Sequence, residues 1–369
     1  MNLYITIHVL VFLSLFFELF SLRTKKVVMI LWCVFFTLFG GLRWRIGGDW
    51  DQYYDHFLFS KWSNIFNYDR YGNGVEILEP GFVFFNVVIK SIFGEFYIYN
   101  LILVGFIQFT YYKFCNYFFP KNPILPYCLL MLLASNYFPV RAGLSIGICY
   151  WAWMFIKERR LLPYLIIVAA AFMIHQQAIV LLPCYWLGYI NLKSKWYLII
   201  YPLIAIFSHI LQDYFINITS VLGGSITEKA YGYTQFETEG FKGASYAGWI
   251  LNYFFLCVYL YIRKVGKLTG DVWFTVLLNS FMIYTAIFMV FQNGMGDLSR
   301  LSSIFFPVQC ILLISSTIFF INSQKSLVVF FTVMSFIAYY VYKLPDCWSG
   351  YYFKQTCVPY KTVFDYNII

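Results

Sequence analysis

The chain has 369 residues, of which 61% are hydrophobic and only 12% are charged. Soluble domains carry about a quarter charged residues, so this composition excludes a soluble globular protein. The net charge of +9 does not indicate nucleic-acid binding, because much of the basic charge falls in short loops between apolar runs. Apolar runs of span length recur from end to end, and they predict an all-α polytopic membrane protein.

Lysine and arginine in short loops predict which side of the membrane each loop occupies. The loops placed inside are Arg23–Lys26, Lys113–Lys121, Lys157–Arg160, Lys193–Lys195, Arg263–Lys267 and the loop with Lys325. This assignment gives about twelve spans with both termini outside. The predicted spans are 3–20, 27–42, 80–112, 122–139, 142–156, 161–174, 177–190, 196–213, 248–263, 270–290, 301–321 and 327–342.

Some of these spans depart from a straight helix. The run 80–112 is too long for one span of about 20 residues, and Gly94-Glu95 interrupts it. An interfacial helix followed by a span is therefore expected there. Several short spans are expected to be tilted, or kinked near Pro163 and Pro183.

The polar segments between the spans are too short to fold alone. The whole chain, 1–369, is therefore predicted to be one integral membrane domain with outer loops at 43–79 and 214–247. Cys347 and Cys357 are the only pair of cysteines in one polar segment. Because the C-terminal tail is predicted to lie outside, in an oxidising compartment, these two are predicted to be disulfide-bonded.

One stretch at the end of the second span is more polar than a membrane boundary requires. It runs from Gly40 to Tyr54, GGLRWRIGGDWDQYY, and we call it the arginine loop. Aromatic residues there are usually anchors, and a single arginine usually snorkels to the surface. A Gly-Gly turn between Arg43, Arg45 and the triplet Asp49-Trp50-Asp51 favours a functional site instead. The two aspartates of the triplet could bind a divalent metal, but a pattern of three residues is too short to indicate this by itself.

Three further ionisable residues lie at the outer ends of other spans, in separate hairpins. They are Arg141 in PVRAGLSIG, His175 in IHQQAIVLLP and Arg300 in DLSRLSS. Ionisable groups at span depth are costly and indicate function. The alternatives are a snorkelling Arg141, a hydrogen-bonded turn histidine, and an Arg300 that anchors the interface or pairs with Asp297.

Arginine is well suited to bind a diphosphate at the headgroup level. Its planar fork forms bidentate, charge-assisted hydrogen bonds and does not lose its proton. Fixed guanidinium groups can therefore stabilise a diphosphate leaving group as negative charge develops on it. An attacking sugar hydroxyl then needs a base, and His175 or Asp49 could serve.

Five short patches in order resemble the O-antigen and exopolysaccharide polymerases of the Wzy group, in particular its EpsG-type branch. They are GLRWRIGGDWDQYY, EPGF from Glu79 to Phe82, PVRAGLSIG, IHQQAIVLLP and DLSRLSSIFFP. The resemblance implies a fold similar to GT-C glycosyltransferases, located in the bacterial inner membrane with its active site facing the periplasm. It implies transfer of the growing glycan from undecaprenyl diphosphate to a lipid-linked repeat unit.

The resemblance also suggests roles for residues and partners. Arg141 and Arg300 correspond by position to diphosphate-binding arginines, and His175 to a candidate base. Arg43, Arg45 and Asp49 match the pattern of the EpsG-type loop, where the arginines would bind diphosphate and Asp49 is the second candidate base. The expected partners are undecaprenyl-diphosphate-linked oligosaccharide, membrane lipid and a chain-length regulator protein; no nucleic acid, cofactor or metal is expected.

Other classes of protein remain open on the sequence. A flippase or transporter of the lipid-linked oligosaccharide would place polar groups at the midplane and show repeated halves. The remaining alternatives are a sugar O-acyltransferase and a GT-C transferase that uses a lipid monophosphate sugar. The latter would use Asp49 and Asp51 with a metal, so dependence on divalent ions would distinguish it from a polymerase.

Overall fold

The computed structural model describes residues 2–47, 49–70, 72, 77–134, 138–222, 242–291, 300–322 and 356–366. Over these ranges the chain is helical, and extended pairing is limited to isolated bridges between Arg43 and Thr362 and between Asp69 and Ile77. The prediction of an all-α protein is therefore confirmed for this part of the chain. A GT-C-like arrangement of the helices stays a prediction.

Most helices follow the predicted apolar runs, but Trp50–Phe59 forms a helix within the predicted outer loop 43–79, and Ser194–Leu222 and Lys242–Val265 extend into the predicted loop 214–247. The α-helices are α1 (Asn2–Leu13), α2 (Leu22–Gly41), α3 (Trp50–Phe59), α4 (Pro80–Phe93), α5 (Phe96–Phe118), α6 (Ile124–Ala134), α7 (Arg141–Lys157), α8 (Leu161–Ile174), α9 (Ser194–Leu222), α10 (Lys242–Val265), α11 (Val272–Phe291) and α12 (Phe306–Asn322). Longer 3-10 segments are Ser14–Leu19, Gln176–Tyr189, Arg300–Phe305 and Val363–Tyr366. The predicted span 327–342 and Cys347 lie outside the described residues, so neither that span nor the disulfide is tested.

The long run 80–112 is divided where the sequence predicted. α4 ends at Gly94, whose φ of +77° is in the left-handed region that glycine adopts without strain. The amide of Gly94 donates to Lys90, and Glu95 then precedes the first residue of α5. Two helices therefore replace one overlong span, as expected.

Several helices have the length and composition of membrane spans. Within the described ranges, three helices are long and apolar enough to cross a membrane: Ser194–Tyr214, Val272–Phe291 and Leu301–Asn322. Shorter apolar helices lie at Leu3–Leu19, Pro80–Phe93 and Leu161–Ile174. These segments fit a multi-pass membrane protein. The predicted total of about twelve spans stays a prediction.

The predicted span 177–190 is a 3-10 helix rather than an α-helix. It covers 14 residues, Gln176–Tyr189, and contains Pro183. A 3-10 helix rises about 2.0 Å per residue, so this segment is about 28 Å long, close to the roughly 30 Å thickness of a hydrocarbon core. An α-helix with the same number of residues would extend only about 21 Å. The shortness of this run therefore does not require a tilt.

The residue contacts divide the chain into two compact units. The first comprises Met1–Ile179 with Gln324–Ile369, and the second comprises Val180–Ser323. In the first unit, α5 packs between α2 and α7, and α7 packs on α8. Gly81, near the start of α4, lies so close to α8 that a Cβ there would come 2.7 Å from the Met173 carbonyl oxygen. This close approach brings Glu79 and Pro80 beside the end of α8.

The second unit is tied together by a buried polar cluster at predicted inside loops. Arg263, 1% exposed, donates from Nη1 to the Leu192 carbonyl at 2.8 Å and from Nη2 to the Asn191 side chain. Asn279 donates to the carbonyls of Leu187 and Ile190, at 2.7 and 2.8 Å. These bonds satisfy buried backbone oxygens that would otherwise be costly at a helix end.

Candidate functional site

The arginine loop is held in place by the C-terminal segment, residues 356–366. The amide of Trp44 donates to the Lys361 carbonyl and the amide of Gly47 donates to the Thr356 carbonyl, both at 3.1 Å. The Leu42 carbonyl accepts a third backbone hydrogen bond, from the Val363 amide at 3.0 Å, so the residues between α2 and α3 are fixed by a distant segment. The conformation of the arginine loop therefore depends on the end of the chain.

An aromatic cluster fixes the same segment to the first two helices. The ring of Tyr360 stacks on Phe39 with centroids 4.4 Å apart, and its hydroxyl donates to the Phe39 carbonyl. The hydroxyl of Tyr4 donates to the Cys357 carbonyl at 2.7 Å. Burial raises the pKa of the Tyr360 hydroxyl, so it remains a protonated donor at neutral pH. The start of α1, the end of α2 and the C-terminal segment thus lie together.

We expect Tyr360→Ala to lower the free energy of unfolding by about 1–3 kcal/mol, through loss of a stacked ring and a hydrogen bond. Thermal unfolding of the detergent-purified full chain would measure this change. Tyr366→Ala, at an exposed position near the end of the same segment, is the matched control and should shift the midpoint little. Equal midpoints for the two variants would contradict the anchoring role of Tyr360.

Arg43 is buried, with 1% of its surface exposed. Its Nη1 donates to the Gly40 carbonyl at 2.8 Å, its Nη2 donates to the Pro139 carbonyl at 3.4 Å, and its guanidinium lies 5.2 Å from the Phe138 ring centre. Burial lowers the pKa of Arg43 to about 10, which still leaves it charged at neutral pH. Arg43 therefore joins the end of α2 to the segment that precedes Arg141, and its predicted diphosphate contact is untested.

Arg45 and Asp49 face solvent. Arg45, in the left-handed region at φ +51°, has 65% of its side chain exposed, and its Nε lies 3.8 Å from a carboxylate oxygen of Asp51. Such an exposed ion pair contributes at most about 1 kcal/mol to the free energy of unfolding. Asp49 directly precedes α3 and makes no capping hydrogen bond to that helix. Both side chains are accessible to a ligand that approaches the loop.

Arg141 is the first residue of α7 and forms a buried ion pair. Its Nη1 lies 2.6 Å from Oε2 of Glu79, and each residue is 8% exposed. The other carboxylate oxygen, Oε1, accepts the backbone amide of Gln176 at 3.2 Å. Nε of Arg141 is buried and has no hydrogen-bond partner among the described residues. One edge of the guanidinium is therefore fixed by Glu79, while Nε remains unsatisfied.

Tyr53 connects the arginine loop with this ion pair. It lies on α3 and is 8% exposed, with its ring 5.8 Å from that of Phe82. Burial raises the pKa of the Tyr53 hydroxyl; the charges of Arg141 and Arg70 oppose that rise, and the charge of Asp49 adds to it. A single hydroxyl thus lies within electrostatic reach of both Arg141 and Asp49.

His175 ends α8, one residue before the amide that binds Glu79. Its Nδ1 accepts the backbone amide of Gln177 at 3.2 Å, and the Gln177 side chain donates to the Ala142 carbonyl at 3.4 Å. A backbone amide can only donate, so Nδ1 is unprotonated and the neutral ring carries its hydrogen on Nε2. In this tautomer Nε2 is a hydrogen-bond donor rather than a proton acceptor.

The structure thus brings together several of the predicted residues and adds others. Glu79 joins Arg141 to the Gln176 amide, one residue after His175, and Tyr53 lies within electrostatic reach of Arg141 and Asp49. Neither Glu79 nor Tyr53 was selected from the sequence. The signal for Glu79 was present in the EPGF patch, where an acid directly precedes a proline at the first position of a helix. Arg300 begins the 3-10 helix Arg300–Phe305 of the second unit, and its side chain lies outside the described residues.

A metal site is not formed by protein groups alone in the described part of the chain. No cluster of three or more His, Cys, Asp or Glu side chains lies close enough there to hold an ion. A divalent ion at Asp49 and Asp51 would need further ligands from the substrate or from residues outside those ranges.

The fold and the site together define a helical multi-pass membrane protein with a buried arginine–carboxylate pair beside an exposed arginine loop. The family model of the EpsG family matches residues 26–362 of the 369. The chain therefore belongs to the EpsG family. This membership supports a polysaccharide-polymerase function in general, with glycosyltransferase-like activity. No curated protein and no solved structure is significantly similar to the chain.

Proposed function

We propose that this protein is a polysaccharide polymerase of the metal-independent GT-C type in a bacterial inner membrane. It transfers the growing glycan from undecaprenyl diphosphate to a lipid-linked repeat unit at the periplasmic face. The bond between the anomeric carbon and the diphosphate oxygen breaks, and a bond from that carbon to an acceptor hydroxyl forms. The hydroxyl proton passes to a base, and undecaprenyl diphosphate leaves with increased negative charge.

The observation that carries this proposal is the buried ion pair of Arg141 and Glu79. Glu79 engages Nη1 and is itself held by the Gln176 amide, so one donor of the guanidinium is fixed in position before substrate arrives. An arginine has five N–H donors, and the remaining ones can bind phosphate oxygens while Glu79 keeps its own contact. These donors need little reorientation to stabilise the negative charge that develops on the diphosphate. Arg300, Arg43 and Arg45 are proposed as further diphosphate ligands.

The proton chemistry is divided between Asp49 and His175. Asp49 is an exposed carboxylate that an incoming hydroxyl can reach, whereas Nδ1 of His175 already accepts the Gln177 amide. We therefore assign Asp49 as the base. His175 presents an Nε2–H group and is assigned as a donor to substrate oxygens, because its Nδ1 is engaged by the Gln177 amide.

This division predicts different outcomes for two substitutions of His175. Glutamine places an amide N–H near the position of Nε2, so His175→Gln should retain much more polymer than His175→Ala. Asp49→Asn should lose at least about a hundredfold in rate, as expected for a lost general base. The measurement is the length distribution of the polysaccharide. If both His175 variants are inactive and Asp49→Asn is normal, His175 is the base.

A deletion strain tests the function itself. A polysaccharide ladder that collapses to one repeat unit, and recovers when the gene is supplied again, is the result expected of a polymerase. Complete absence of surface sugar, with lipid-linked repeats accumulated inside, would identify a flippase instead. A ladder of unchanged length would contradict both functions.

A further inference from the structure

An open cavity of about 640 Å³ lies in the outer loop 43–79, between α3 and the residues that follow it. One wall is a single face of α3, formed by Gln52, Asp55, His56 and Phe59. Their spacing of three, four and seven positions from Gln52 places all four on the same side of the helix. The volume is in the range of small-molecule binding sites.

The opposite wall comes from the loop after α3. It includes Asn67, Tyr68, Asp69 and Arg70. The two walls therefore present two carboxylates, amide groups, one guanidinium and aromatic rings to the same space. None of these groups was selected from the sequence.

Hydrogen bonds join the two walls of the cavity. Nδ1 of His56 lies 3.3 Å from the Tyr68 hydroxyl, and Nη2 of Arg70 donates to the Gln52 side chain at 3.1 Å. The Tyr68 carbonyl accepts the amide of Leu78 at 2.9 Å, which fixes the loop against the residues before α4. Burial, with the nearby charges of Asp55 and Asp69, raises the pKa of Tyr68. The cavity is thus a built site rather than a gap between loosely placed loops.

We propose that this cavity binds saccharide residues of the lipid-linked substrate. Carboxylates and amides both form hydrogen bonds with sugar hydroxyls, and an exposed aromatic ring such as Phe59 can cover the apolar face of a pyranose. Two acids against one arginine make the lining unsuitable for phosphate. The ligand is therefore a neutral or amino sugar, and this assignment rests on the polymerase function proposed above.

The cavity adjoins the ion pair through one residue. The ring of Tyr53 lies 5.7 Å from that of His56, which lines the cavity, and the hydroxyl of Tyr53 is influenced by Arg141. A diphosphate at Arg141 would therefore have its attached sugars beside the cavity. Arg141 binds the charged part of the substrate, and the cavity selects the glycan.

The test separates sugar binding from diphosphate binding. The probe is the host's own repeat-unit oligosaccharide, released from its lipid carrier by mild acid and therefore without diphosphate. Its binding to the detergent-purified full chain is measured by saturation-transfer-difference NMR. Phe59→Ala and Asp55→Asn change exposed side chains of the cavity, and Phe66→Ala is the matched control, because Phe66 is in the same loop, 80% exposed, and does not line the cavity.

We expect each cavity variant to weaken oligosaccharide binding about tenfold, the equivalent of one hydrogen bond or ring contact. Phe66→Ala should bind the oligosaccharide like the wild type. The sugar subsite would be overturned if both cavity variants bound the oligosaccharide as the wild type does, or if the wild type did not bind it at millimolar concentration. The polymerase function would still be tested separately, by the ladder of the deletion strain. If the wild type bound the oligosaccharide and both cavity variants bound it more weakly, but the deletion strain made an unchanged ladder, the sugar site would be supported and the polymerase function would be wrong.

Discussion

Replacement of Arg141 by alanine should abolish long polysaccharide chains while leaving the amount of membrane-inserted protein normal. The reason is that, in the mechanism we propose, Arg141 offers preorganised donors at the point where the leaving diphosphate gains charge. Loss of one such donor typically slows a reaction about 100- to 1000-fold. A polymerase slowed to that degree would add few repeats in one generation. The ladder made by a deletion strain that carries the variant gives the result directly.

Two further substitutions test the diphosphate mechanism, one at Arg141 and one at Arg300. Arg141→Lys should restore little polymer, because an ammonium group cannot contact Glu79 and a phosphate with one rigid fork. Arg300→Ala should also abolish long chains if Arg300 is the second diphosphate ligand. Arg160→Ala is the control: Arg160 lies at the opposite end of α7 and α8, 59% exposed and paired with Glu158 at 3.5 Å. Full ladders from both Arg141→Ala and Arg300→Ala would show that the diphosphate mechanism is wrong.

The helices could be predicted from the sequence because their signal is local. Apolar runs marked nearly every helix in the described residues, and Gly94 marked the division between α4 and α5. The 3-10 helix Gln176–Tyr189 was not predicted as such, since its composition is that of any short apolar span. Hydropathy reports which residues avoid water, but it does not distinguish an α-helix from a more extended helix.

The site was predicted less completely than the helices, because its contacts are not local. Arg141 was selected as an ionisable residue near a span end, yet its partner Glu79 is 62 positions away. Arg43 was predicted to bind diphosphate, but its burial and its hydrogen bonds to the Gly40 and Pro139 carbonyls could not be predicted. An arginine beside a span has the same sequence signal whether its guanidinium faces lipid headgroups or the backbone of a neighbouring helix.

The role of the C-terminal segment could not be derived from the sequence. Its contacts with the arginine loop are backbone hydrogen bonds, such as that from Trp44 to Lys361, and they depend little on side-chain identity. Side chains add the stacking of Tyr360 on Phe39 and the hydrogen bond from Tyr4 to the Cys357 carbonyl, but aromatic residues are too abundant in this chain for these pairs to be recognised.

Substitution of Glu79 by glutamine should affect both stability and chain length. Glutamine keeps the shape of the side chain and an oxygen that can accept from Arg141, but it carries no negative charge to pair with the guanidinium. A hydrogen bond to a charged group contributes about 1.5–3 kcal/mol, and we expect Glu79→Gln to lose roughly that amount of unfolding free energy. The ladder should shorten as well, because Nη1 of Arg141 is then held less firmly in position.

Glu95→Gln is a close control for this variant. Glu95 directly precedes α5 as Glu79 precedes α4, neither side chain caps its helix, and Glu95 is exposed. The control should leave both the unfolding midpoint and the ladder unchanged. If Glu79→Gln lost stability and kept a full ladder, the ion pair would be purely structural.

A double-mutant cycle separates the pair from the fold around it. Glu79→Ala alone leaves the buried charge of Arg141 uncompensated, which costs about 3–5 kcal/mol. In the Arg141→Ala background the same change should cost much less, because no charge is left unpaired. The coupling energy between the two sites, which is the difference between these two costs, should therefore be about 2–3 kcal/mol, measured from unfolding in detergent. Additive effects would mean that Glu79 and Arg141 do not interact, and the proposed orientation of the guanidinium would then have no support.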